Sequence, residues 1–398
     1  MIIKDKIEYL VGNKKIYTDS ILPYDKKIIS FLDDLSKELG SKKEIQKFSD
    51  IKSLSFFCRK ANLDNIVRKI LFNSSSLRLA IGLIFHITPS NVPTNFIYSL
   101  IFGLLNGNSN IIKVPSKKFE QIDIICNTLN RILSKKKHKE IRKLIKIVRY
   151  EKSHKFTQDI SSICDARIIW GGDKSIAEIK EFKTKINCVD LTFSDRYSFC
   201  IINADKFLNF SNNKKRLLVE KFFNDSYTMD QNACSSPHLI LWYGKKYQIA
   251  KQTFWSYLNN VTDERYKIEN SAAVNKYNLL CKNLILNKTI KNFKTFSNNI
   301  YTIELKEIQK NISNLRGQSG FFYEYKIKNL NMINNFITKK FQTLTYCGFN
   351  KEVLKRFILN NNPKGIDRIV PVGRALEIDF FWDGFDINKI LTRVIDIK

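Results

Sequence analysis

From residue 77 to residue 203 the chain repeats one pattern: a short apolar run of β type, then a stretch with helical period. The runs are LRLAIGLIFHI, NIIKV, KLIKIVR, ARIIWGG and YSFCIIN. Between them lie helices from about Thr94 to Leu105, from about Lys118 to Leu133, HKFTQDISSI and KSIAEIKEF. Parallel strands need a crossover, and a sheet covered on both faces needs strands that are apolar throughout, so the alternation predicts βαβ units. The expected fold class is α/β, a doubly wound parallel sheet of the nucleotide-binding kind. The pattern pauses between Asp225 and Ser236, and a second α/β stretch opens at PHLILWYG and continues through the helix KQTFWSYLNNV. Ahead of the repeat the chain is polar and mostly helical in pattern, as in DKKIISFLDDLSKEL and NLDNIVRKILF. The reading therefore divides the chain into a helical segment 1–75, a doubly wound domain 76–227, a second α/β domain 228–372 and a C-terminal segment 373–398.

Composition narrows the function. With 398 residues, 43% of them hydrophobic, the chain can bury sizeable cores. No apolar run approaches the ~18 residues of a membrane span, and the N-terminus lacks a signal-peptide core, so a cytoplasmic location is expected. Eight cysteines show no CxxC spacing, and the four histidines are scattered. This argues against a metal site or a disulfide framework and for reduced thiols. The net charge of +29 raises a nucleic-acid reading, since RILSKKKHKEIRKLIKIVRYEKSHK at 131–155 holds eleven Lys/Arg against two Glu. However, Lys, Asn and Ile recur along the whole chain, and Tyr150 is the one aromatic in the run on which a base could stack. A solvated basic face is the better reading.

Four stretches hold residue types suited to chemistry. HITPSNVPTNF at 86–96 sets Asn91 between two prolines in a stiffened loop between strand and helix. NGNSNIIKVPSKK at 106–118 carries Lys113 near the C-terminal end of a strand, the end where ligands bind in open parallel sheets. IIWGGDKSIAEI at 168–179 runs strand, Gly171–Gly172, helix, which turns helix N-terminal amides towards an anion. In MDQNACSSPHLILW at 229–242, Cys234 sits in a short polar segment before an apolar strand. His238 follows four residues later but opens that strand, which suits a structural or orienting role better than base catalysis.

In order and spacing these stretches resemble the aldehyde dehydrogenase superfamily, and within it the LuxC-type long-chain acyl-CoA reductases. PSNVP is similar to the superfamily's proline-flanked asparagine motif, NIIKVPSK to its lysine-bearing cofactor strand, and QNACSSPHLI to its catalytic-cysteine segment. The narrower likeness extends to DRIVPVGRALEIDFFWDGFD at 367–386. The resemblance implies that Cys234 attacks an activated fatty acyl group and holds it as a thioester. It also implies that Asn91 and the Cys234 backbone N–H bind the oxyanion, that Lys113 holds the adenosine ribose, and that Gly171 and Gly172 lie under the pyrophosphate. Glu324 is the expected ligand of the nicotinamide ribose. Ser116 takes the place of the glutamate common in NAD-preferring members, and Lys117 and Lys118 follow it, which points to NADPH as the cofactor. Thr192 takes the place of the water-activating glutamate of hydrolytic members, although Asp190 and Asp195 lie close by. The partners implied are long-chain acyl-CoA or an acyl-carrying synthetase or transferase, in a homo- or hetero-oligomer. The rival readings are a thioesterase or acyltransferase using Cys234 with His238, and a basic nucleic-acid-binding protein.

Overall fold

The computed structural model describes residues 7–72, 76–151 and 154–398, so Lys152 and Ser153 of the basic run and both ends of the expected N-terminal segment, 1–6 and 73–75, lie outside the described residues. The chain forms two compact units, residues 1–194 with 379–398, and residues 195–378. The division at 194/195 departs from the expected one at 227/228, and of the expected C-terminal segment 373–398 only residues 379–398 join the N-terminal segment in the first unit. No helix among the described residues is long and apolar enough to cross a membrane.

In the first unit β1 (Glu8–Val11) and β2 (Leu77–Ala80) precede the repeat itself: β3 (Leu83–Ile87), β4 (Ser109–Val114), β5 (Ile145–Arg149), β6 (Ala166–Trp170) and β7 (Val189–Phe193). The sheet order is β1-β5-β4-β3-β6-β7, parallel except for β1. The chain thus winds outward through β4 and β5, returns across β3, and winds the other way through β6 and β7. The loops after β3 and β6 consequently open at the switch point, where such sheets hold ligands. The single run LRLAIGLIFHI proves to be two strands. Gly82, at φ +128°, breaks it, and a Cβ there would lie 2.2 Å from Asp165 Oδ2, which accepts the Leu83 N–H at 2.8 Å. β2 instead pairs antiparallel with the C-terminal strand Thr392–Ile395. The same C-terminal stretch sets Phe380 edge-on to Phe102 at 5.1 Å and Phe385 edge-on to Phe193 at 6.1 Å. The N-terminal helix Lys26–Gly40 buries Ile28, Leu32, Leu35 and Leu39 at helical spacing and is capped by Asp25, whose carboxylate accepts the Lys27 N–H. Much of the basic run is ion-paired: Arg131 and Lys135 with Glu38, Lys137 with Asp34, Arg149 with Glu8 and Asp123.

The second unit is built on a seven-stranded sheet of β8 (Tyr197–Asn203), β9 (Pro237–Tyr243), β10 (Ile290–Phe296), β11 (Ile300–Leu305), β12 (Phe321–Ile327), β13 (Phe341–Cys347) and β14 (Arg368–Pro371). Its order is β10-β11-β12-β9-β8-β13-β14, and only the β10–β11 pair is antiparallel. Alternation along the central strands divides their side chains between two cores. Phe199, Ile201, Leu239 and Leu241 enter one; Cys200, Ile202, Ile240 and Trp242 enter the other. This is why HLILW reads as an unbroken apolar run.

Candidate active site

At the C-terminal edge of the first unit's sheet, three of the sequence motifs meet on neighbouring strands. After β3 the chain turns through Pro89 and Pro93, with Asn91 exposed on the loop before the helix Asn95–Leu105. The start of the loop is fastened to β4, because the Thr88 N–H and hydroxyl both donate to the Lys113 carbonyl, at 3.2 and 2.9 Å. Inside the strand, His86 is wholly buried between the Ser99 hydroxyl (2.8 Å) and Asn110 Oδ1 (3.0 Å); burial pushes its pKa down to about 4, so it is a neutral core residue.

Lys113 is half-buried, with its ammonium 5.1 Å from the centre of the Tyr150 ring, and burial holds its pKa below the usual lysine range. Ser116 and Lys117 follow on the exposed loop. After β6, Gly171 donates its N–H to the Phe193 carbonyl at 3.1 Å, and Gly172 caps the helix Asp173–Lys180 without a side-chain hydrogen bond to its first turn. A Cβ on Gly172 would meet nothing within 4 Å, so open space lies over this turn and its amides. An uncapped helix start under open space, with half-buried Lys113 two strands away, fits a dinucleotide.

In the second unit Cys234 lies on the connection from the helix Asn212–Tyr227 to β9. No disulfide joins any of the eight cysteines, and five of them are buried. Cys234 is half-buried, and its loop is fixed at many points. Asp230 and Gln231 both have left-handed backbone, at φ 50° and 60°, a conformation that costs energy away from glycine. What holds them there is the Gln231 side chain, buried to 2% exposure. Its amide donates to the Pro237 and Phe321 carbonyls at 3.1 and 3.2 Å, while its oxygen accepts the Gly320 and Phe321 N–H groups at 2.8 and 3.0 Å. Further down the loop, the Ser198 hydroxyl donates to the Cys234 carbonyl at 2.6 Å and the Ser236 hydroxyl to the Asp225 carbonyl at 2.8 Å. Gln231 and Ser198 were not foreseen from sequence: a glutamine in a polar loop gives no sign that it will be buried.

Two sequence expectations need correction or completion. Glu324 is wholly buried on β12, where its Oε1 accepts the Trp242 and Trp255 indole N–H groups at 2.7 and 2.8 Å and its Oε2 lies 3.2 Å from the Lys251 ammonium. A carboxylate so enclosed is a core anchor and has no surface to offer a ribose. His238 is 3% exposed, stacked on Tyr197 with ring centres 5.4 Å apart; burial and the nearby Arg316 push its pKa down to about 3. It has no means of accepting a proton near neutral pH. The two nearby carboxylates are also committed, Asp190 to both sides of the Arg167 guanidinium fork at 2.7 and 2.6 Å, and Asp195 to Arg316 at 2.8 Å. Thr192 is half-buried on β7, in register with Ile169.

The family model described as acyl-CoA reductase (LuxC) matches residues 18–393. Among solved structures, aldehyde dehydrogenase 21 from Physcomitrella patens, in complex with the product succinate, superposes with a TM-score of 0.63 at 11% identity, covering 93% of this chain and 85% of that one. An NAD-dependent benzaldehyde dehydrogenase from Corynebacterium glutamicum superposes with a TM-score of 0.58 at 12% identity, covering 97% and 96%. At such identities the likeness is one of fold. No curated protein matches the sequence significantly.

Proposed function

The chain belongs to the LuxC acyl-CoA reductase family, and from that premise we propose that it reduces long-chain acyl thioesters to fatty aldehydes with NADPH, through an acyl group held on Cys234. The observation that carries this reading is the Cys234 loop: a half-buried thiol on backbone fixed by the buried Gln231 amide, while most of the other cysteines are sealed in the cores. A nucleophile needs that combination of access and fixed position.

The acyl donor binds as acyl-CoA or as an acyl group on a partner protein. Cys234, as thiolate, attacks the thioester carbonyl and the donor thiolate leaves. The Asn91 amide and the Cys234 backbone N–H stabilise the oxyanion at each tetrahedral stage, with one such donor typically giving ~3–4 kcal/mol. Lys113 holds the adenosine ribose, the first-turn amides after Gly172 face the pyrophosphate, and Ser116 with Lys117 receives a 2′-phosphate, which a carboxylate at that place would repel. When bound, the nicotinamide supplies hydride to the acyl carbon. The thiohemiacetal then collapses, expelling the Cys234 thiolate and releasing aldehyde.

Water must not intercept the acyl-enzyme first. Thr192 has no basic group, and Asp190, Asp195 and His238 are occupied or neutral as described, which leaves the thioester without general-base help, typically worth 10²–10⁴-fold. The same facts weigh against the thioesterase reading. The test is incubation with a long-chain acyl-CoA. Without reductant, acyl label is expected on Cys234 and on no other cysteine; with NADPH, aldehyde forms faster than with NADH. Consumption of NADPH with Cys234 unmodified throughout would exclude the covalent route, and release of free acid without reductant would restore the thioesterase.

A further inference from the structure

The first unit contains a second thiol arrangement, remote in sequence from Cys234. Cys164 ends the helix His154–Ile163 and is wholly buried; Cys188 closes the loop before β7 and is half-exposed; their sulfurs are 3.9 Å apart. The backbones are already fastened on either side. Ala166 pairs with Val189, the Val189 N–H donates to the Asp165 carbonyl at 3.1 Å, and the Lys185 ammonium binds Asp165 at 2.7 Å. Cys164 lies two residues before β6 and Cys188 one before β7; paired strands run ~4.8 Å apart, which brings the two backbones near the separation that a disulfide spans. The two sulfurs have to close from 3.9 Å to the ~2.05 Å of a disulfide bond.

We propose that Cys164 and Cys188 form an oxidation site at which hydrogen peroxide converts the dithiol into an intrachain disulfide. Cys188 is the sulfur that peroxide reaches. As thiolate it attacks one peroxide oxygen, the O–O bond breaks, and water leaves a sulfenic acid on Cys188. Cys164, losing its proton, attacks that sulfur; the S–S bond forms and the sulfenic oxygen departs as a second water. Two thiols and one peroxide become one disulfide and two waters, with each sulfur giving up one electron. The contact with Cys164 holds the Cys188 pKa below its ordinary value, which favours the first step. Neither sulfur belongs to the proposed catalytic set.

The bond would close a covalent loop containing β6, the Gly171–Gly172 turn, the helix Asp173–Lys180 and the exposed segment 183–187. It would thereby fasten β7, an edge strand whose one neighbour in the sheet is β6. The experiment uses the full chain, alongside its Cys234→Ser form so that oxidation of the nucleophile does not confuse the result. After brief exposure to a small excess of hydrogen peroxide, remaining thiols are blocked with N-ethylmaleimide in denaturant and the protein is digested without reductant. The expected result is a joined pair of peptides carrying Cys164 and Cys188, two hydrogens lighter than their sum, which is absent from Cys188→Ser and Cys188→Ala. Tryptic cleavage after Lys183 and Lys185 in the folded, oxidised protein should also slow by ~10-fold or more. Blocked Cys164 beside over-oxidised Cys188, or a disulfide between chains, would overturn the site. Unchanged cleavage would overturn the fastening of the loop.

Discussion

Gln231 bears on chemistry through geometry alone, because its side chain satisfies four backbone groups between β9 and β12 and fixes the left-handed turn three residues before Cys234. Gln231→Ala would strand those groups in the core, at about 1–3 kcal/mol for each left unsatisfied. A loss of ~4 kcal/mol or more in denaturant unfolding is expected. The acylation rate of Cys234 should fall at least ~10-fold while NADPH affinity, read by cofactor fluorescence, stays within ~2-fold; a proportionate fall in both would make Gln231 a purely structural residue. Asn91 makes the complementary case. It is exposed on its loop, so Asn91→Ala should leave stability unchanged and lower kcat by ~10²–10³-fold through loss of one oxyanion donor. A rate within ~3-fold of the parent would reduce it to a turn residue. Both residues lie in motifs visible in the sequence. The role proposed for Asn91 follows from the resemblance of its motif, whereas that of Gln231 depends on a contact with Gly320 and Phe321, some ninety residues away.

Among the elements, the helix Asn212–Tyr227 has the closest bearing on Cys234, since the Cys234 loop leaves from its end. Its Asp225 is 1% exposed and accepts the Gly373 and Ala375 N–H groups at 2.6 and 2.9 Å, tying the turn that follows β14 to the start of that loop. Burial raises the Asp225 pKa to about 7, the two N–H bonds only partly opposing it. The folded state therefore binds this proton more tightly than the unfolded chain does. The stability it contributes is fully present below the unfolded value near 4 and is lost as pH rises through about 7. Between pH 5 and pH 8 the parent should lose stability relative to Asp225→Asn, whose amide does not titrate; parallel urea midpoints for the two proteins across that range would refute it. The C-terminal motif quoted from sequence as a family likeness thus has a physical task in the second unit. Its continuation from residue 379 belongs to the first.

For the whole molecule, the return of residues 379–398 to the first unit makes that unit discontinuous in sequence. A chain ending at Ile378 would lose the strand paired with β2 and the Phe380 and Phe385 ring contacts. Hydrogen exchange should then accelerate at β2 and at the helix Asn95–Leu105, with the amides of β8 and β9 protected as before; equal acceleration in both units would show that they unfold together. What the sequence determined by itself was local and periodic. Strand and helix alternation set the parallel sheets, and Asn91, Lys113, Gly171 and Gly172, at or just past the C-terminal ends of strands, could be read together because parallel topology sends those ends to one edge of the first unit's sheet. Tertiary structure alone decided which residues leave the surface. Glu324 looks like a ligand in the string GQSGFFYEY, and only packing sets it between two indoles and an ammonium; Cys164 and Cys188 are 24 positions apart and meet only because β6 and β7 pair in one register. Periodicity reports which face of an element is apolar. Whether a polar group finds its partner across the sheet depends on register, which no local window of sequence contains.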